Sequence, residues 1–168
     1  MIVTLLFLLS ISLCSEWHDL GTSESTNIFL HDSSESNIII EMFLDGYYSK
    51  DIKVEDLLAK KISINGGTSI LKKGFPDLPQ ISKSIIIPDQ AKMSVRIIDF
   101  EYIDIENINV LPSKGNLSRL VNPDEVEYTW SNIYSKDTFF PSEVTHLRDP
   151  YILREHRGQA VVFNPIQY

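Results

Sequence analysis

An all-β chain with little helix, folded as an antiparallel sandwich, is what this sequence predicts. Three observations carry that expectation. Apolar residues alternate with polar ones, as in Met93, Val95 and Ile97 against Lys92, Ser94 and Arg96, which is the period of a strand with one wet face. Short β-branched and aromatic runs are cut by turn residues, with Asp45-Gly46, Asn65-Gly66-Gly67 and Pro88 as the clearest stops. No stretch sustains a helical period, a heptad or an internal repeat.

Taken in order, Met1 to Cys14 is uncharged and rich in Leu and Ile, the core of a signal peptide too short to span a bilayer. Cleavage after Cys14 puts Ser12 and Cys14 at the two small-residue positions, so residues 1–14 are expected to leave and the secreted form to begin near Ser15 or Glu16. Cys14 is the only cysteine, so the mature chain is expected to have neither a disulfide nor a thiol nucleophile. Residues 15–36 are rich in Ser, Thr, Asp and Glu and read as a flexible segment with one short strand at Ile28 to Leu30.

From residue 37 to 168 the chain reads as one sandwich domain. Antiparallel strands are expected at 37–44, 84–87, 93–100 and 158–163, with Ile39 or Ile40, Ile86, Val95, Ile97 and Val161 or Val162 in a shared core. Asp51 to Lys61 is read as one helical turn before Ile62-Ser63-Ile64 returns to strand. Gly74 to Pro79 is an extended, fixed loop because two prolines and a glycine flank Phe75 and Leu78. Register shifts after Tyr102 predict a bulge or strand break, and Arg157-Gly158 a turn or bulge.

At 168 residues with 43% apolar content and a net charge of −8, the chain fits one globular domain and lacks the basic face a nucleic acid needs. His18, His31, His146 and His156 have no metal-ligand spacing. Glu143 and His146 lack the second Glu-x-x-His copy that gives such a pair meaning. Asp99, Glu101, Asp104 and Glu106 carry charge enough for calcium but not the spacing of a calcium loop. With no Gly-rich phosphate loop and no nucleophile elbow, no catalytic residue, metal or cofactor is expected.

One stretch stands out. Leu111 to Pro123 is acid-free in an acidic chain and carries two cations, Lys114 and Arg119, between Pro112 and Pro123; Asn116-Leu117-Ser118 inside it fits a glycosylation sequon. It reads as a surface turn, or as a loop that presents one long cation to a negatively charged pocket.

From Gly74 onward a series of motifs resembles the prodomain of the gingipain family of secreted cysteine endopeptidases. They run Gly74-Phe-Pro-Asp-Leu-Pro79, Ser82-Lys-Ser-Ile-Ile-Ile-Pro88, Pro112-Ser-Lys-Gly115, Asn122-Pro-Asp124, Phe139-Phe-Pro141, Asp149-Pro-Tyr-Ile-Leu-Arg154, Arg157-Gly158 and Pro165-Ile-Gln-Tyr168. The resemblance implies a β-sandwich that covers the catalytic cleft of a cognate cysteine peptidase domain, assists its folding and is not itself the enzyme. It further implies an inhibitory loop built from Ser113, Lys114, Gly115 and Arg119, with Arg119 as the residue in the specificity pocket and Lys114 second. In that family the prodomain continues with further strands, which implies a sandwich incomplete after Tyr168. Secretion to the periplasm or exterior, and no membrane contact after signal cleavage, complete the expectation. The alternative is a secreted binding or adhesion module that uses Tyr128, Trp130 and Tyr134 as an exposed aromatic face.

Overall fold

The structure is a computed structural model that describes residues 14–22, 24–34 and 36–168; apart from Cys14, the expected signal segment lies outside the described residues. In chain order its first strands are β1 (Glu16–Asp19), β2 (Asn27–Ser33), β3 (Ile38–Phe43), β4 (Gly46–Val54) and β5 (Leu57–Ser63). They are followed by β6 (Thr68–Ser69), β7 (Pro79–Ile86), β8 (Thr145–Leu147), β9 (Tyr151–Leu153) and β10 (His156–Phe163). The only helices among the described residues are short 3-10 turns at Pro123–Glu125 and Asn132–Ser135. The fold is therefore all-β, and every pairing between named strands is antiparallel.

Among the described residues three sheets result. One runs β1-β4-β5, a second β6-β7-β10-β8 with β9 also on β10, and a third is the β2-β3 hairpin. Local chemistry accounts for the tight connections. Between β4 and β5 only Glu55 and Asp56 intervene, and Glu55 takes φ 52°, the left-handed conformation that two-residue hairpin loops require. Between β9 and β10 the turn falls on Arg154 and Glu155, with Arg154 at φ 57°.

The core gathers Tyr47 from β4, Ile62 from β5 and Ile64 just after it, with Leu78, Val110 and Phe140. Ile62 and Ile64 are buried on either side of exposed Ser63, the alternation of a half-buried strand. Phe75, Ile133, Ile166 and Tyr168 pack against this cluster from its rim.

Several expected elements stand. β3 and β10 fall on the anticipated stretches, Val161 and Val162 are buried, and β7 extends the anticipated 84–87 back to Pro79. Others are corrected. Residues 93–100 form no strand: among the described residues no backbone-to-backbone hydrogen bond engages Lys92 to Ile108, and Val95 and Ile97 are exposed. Their alternation marks a strand-competent segment, but a strand needs a partner, and none lies beside it among the described residues.

Ile86 lies 68% exposed at the end of β7, and on the β2-β3 hairpin Ile39 is exposed and Ile40 half-buried outside the core cluster, so none of the three joins the core. Asp51 to Lys61 is the β4-β5 hairpin rather than a helical turn, because the pairing of Val54 with Leu57 uses its backbone groups across the sheet. Arg157 and Gly158 lie within β10, where the strand passes from its pairing with β9 to its pairing with β7. Residues 15–36 hold two strands, β1 on β4 and β2 on β3, where the sequence suggested one short one.

Candidate functional site

The acid-free loop is rooted by the segment before it. Leu111 N donates to Lys60 O at 2.8 Å and Lys60 N to Asn109 O at 2.7 Å, which lays this segment along the edge of β5. On its other side Gly74 N donates to Ser113 O at 2.8 Å, Ser113 N to Phe75 O at 2.7 Å and Asp77 N to Leu111 O at 2.8 Å. Pro76 and Pro112 face each other across this ladder and are fully buried, so the Gly74–Pro79 motif serves as the footing of the loop. Prolines suit both places because neither amide is needed for the ladder.

Ser113 belongs to that footing. It is 2% exposed, and its Oγ accepts from Gly115 N at 3.1 Å, which turns the chain outward. Gly115 sits at φ 85°, the left-handed conformation that favours glycine, and a Cβ there would press at 3.0 Å on Lys73 Cβ. Ser113 and Gly115 therefore shape the loop and are not presented by it.

The two cations have different fates. Lys114 Nζ donates to Pro123 O at 2.7 Å and lies 4.2 Å from the centre of the Tyr128 ring, so it ties the start of the loop to its end. Asn122 holds that end, its side chain accepting from Asp124 N at 3.1 Å to cap the short 3-10 turn. Arg119 instead stands exposed at the tip, and its side chain has no hydrogen bond or ion pair among the described residues. At that tip Val121 N donates to Ser118 O at 3.0 Å, closing a turn with Arg119 and Leu120 at its centre.

Beneath the loop lies a desolvated polar group. Burial pushes the Asp77 carboxyl above the ordinary carboxylate value, partly offset by the Ser69 hydroxyl and by Lys61, and its Oδ1 has no partner among the described residues. Burial likewise raises the phenols of Tyr128 and Tyr134, with Asp77 adding to both. Tyr134 donates to Val110 O at 3.0 Å and packs against Trp130 and Tyr168. With Tyr128 under Lys114 and Tyr134 turned inward, the three aromatics do not form one exposed face.

Sequence reasoning missed Tyr128 as the seat of Lys114 and missed the footing role of Asp77. Tyr128 follows Glu127, and the sequence marks it only as one of three aromatics with Trp130 and Tyr134, which says nothing of Lys114. Among the described residues no group of three or more His, Cys, Asp or Glu is placed to hold a metal ion.

A family model described as Propeptide_C25 matches residues 21–168. The chain belongs to the C25 peptidase propeptide family. The match starts well upstream of Gly74, so β2 to β6 belong to the family's domain as much as the motifs do. Gingipain R2 of Porphyromonas gingivalis is 34% identical over 83% of this chain and 19% of its own length, and Gingipain R1 is 31% identical over 95% and 17%. The chain thus spans less than a fifth of the length of these relatives. The solved complex of the P. gingivalis RgpB pro- and mature domains superposes with a TM-score of 0.80 at 33% identity, covering 84% of this chain and 74% of that one. A structure addressing zymogenic latency of gingipain K shares the fold, with a TM-score of 0.77 at 20% identity.

Proposed function

We propose that the chain is the inhibitory and folding-assisting propeptide of a secreted gingipain-like cysteine endopeptidase, that it covers the catalytic cleft, and that Arg119 enters the specificity pocket. One observation supports the choice of Arg119. The loop is fastened at both ends by Lys114 and Asn122, and Arg119 is left at its tip with an uncommitted guanidinium. A loop already ordered loses little entropy on docking, and a planar guanidinium pairs with a carboxylate by two parallel hydrogen bonds. The fold scaffold, residues 37–168 with the strands that precede them, holds the loop against the partner. The uncharged apolar stretch Met1 to Cys14 supplies export and is then removed, so that residues 15 onward reach the exterior.

The test is an inhibition constant against a cysteine peptidase catalytic domain of arginine specificity. Arg119→Ala leaves the pocket carboxylate unpaired in the interface and is expected to weaken binding by about 2 to 5 kcal/mol. Arg119→Lys recovers part of the loss, because an ammonium lacks the planar fork. Equal inhibition by wild type and Arg119→Ala would return the loop to an ordinary surface turn.

A further inference from the structure

The tip carries a second feature that neither the charge nor the fold explains. Leu120, next to Arg119, is 97% exposed, more than any other large apolar side chain among the described residues, and Val121 beside it is 42% exposed. Single exposed leucines are ordinary. This one is held in place: Leu120 N donates to Ser118 Oγ at 3.4 Å, and Val121 N to Ser118 O at 3.0 Å fixes the turn around it. The Lys114 clasp to Pro123 closes the loop below. An apolar side chain that contributes nothing to its own fold, on backbone ordered from both sides, retains its whole surface for burial elsewhere.

We propose that Leu120 is a second anchor of the loop, an apolar side chain that docks on a hydrophobic wall beside the pocket that takes Arg119. The inference rests on the reading of Arg119 given above. A pocket that binds a guanidinium is acidic and wet at its rim, so it has no place for leucine. Leu120 must therefore rest outside it, on a dry surface of the same partner. The division of labour is physical: the cation supplies attraction that many acidic pockets satisfy, and the leucine adds area that only a cleft with an apolar neighbour rewards. From Leu111 to Val121 there is no acidic residue to repel such a partner.

The experiment measures inhibition constants of the full chain and of Leu120→Ser, Leu120→Met and Arg119→Ala against one arginine-specific cysteine peptidase catalytic domain, at low and high salt. Because the Leu120 side chain is almost wholly exposed, replacing it leaves the fold intact. Leu120→Ser is expected to raise the inhibition constant about 10- to 100-fold at both salt concentrations, the worth of one buried leucine. Leu120→Met should stay near wild type, since it keeps the apolar volume. The Arg119→Ala loss should shrink at high salt. Wild-type inhibition by Leu120→Ser alongside a weak Arg119→Ala overturns the anchor and leaves the charge reading standing. A weak Leu120→Ser alongside an unaffected Arg119→Ala supports an apolar anchor and overturns the charge reading. A Leu120→Met loss equal to that of Leu120→Ser also overturns the anchor, because apolar area would then not be what binds.

Discussion

Asp77 shows how a residue can matter without touching a ligand. Its amide ties the footing of the cationic loop to Leu111, and its half-buried carboxyl has an oxygen without a partner among the described residues. Desolvation raises its pKa above 3.8, against the opposing hydrogen bond from Ser69 and the charge of Lys61. A raised carboxyl pKa means that the folded chain favours the proton. The stabilisation is full below pH 3.8 and is lost as pH rises through the higher folded value. Asp77→Asn, neutral at every pH, should escape this loss, so urea midpoints of variant relative to wild type should climb as pH rises from 3 toward 7. A constant difference across that range would contradict the assignment. The sequence marked this position only through its neighbours: glycine and proline announce a fixed loop, whereas the desolvation of the aspartate is set by how the rest of the fold packs around it. Lys114 and Arg119 were legible as a pair for the same reason. Their separation into a clasp and a free tip was not, because it depends on where Pro123 O and the Tyr128 ring arrive.

At the scale of elements, β3 and β10 were readable because their partners are hairpin neighbours or their residues are buried on a regular face. The stretch 93–100 misled for the opposite reason. Alternation reports what a segment can do when paired, and pairing is decided by chain far away. The β4-β5 hairpin was obscured by Leu57 and Leu58, whose spacing from Val54 imitates a helix although both are exposed on β5. Residues 92–108, without backbone-to-backbone hydrogen bonds among the described residues, should open first. Limited chymotrypsin digestion is expected to cut at Phe100 or Tyr102, both exposed, before any site in β4, β7 or β10. First cuts at Tyr47 or Phe163 would show that the segment is protected.

For the whole molecule, the shift of the core away from the expected Val95 and Ile97 has an energetic signature. Leu78 is fully buried in the central cluster, and Leu78→Ala should cost about 2 to 5 kcal/mol in chemical denaturation. Ile98→Ala, at a side chain 70% exposed, should stay within about 0.5 kcal/mol of wild type. A comparable loss at both positions would mean that the strand-like run is packed after all. That run has a colloidal consequence too. Ile98, Phe100, Tyr102, Ile103 and Ile105 are exposed on a segment with no backbone-to-backbone hydrogen bonds among the described residues, and such a segment can recruit a strand that drifts near it. Sedimentation of the isolated chain should therefore show concentration-dependent oligomers. Ile98→Lys with Ile103→Lys should restore a single slow species, since two charges on the run repel a second copy and leave the core untouched.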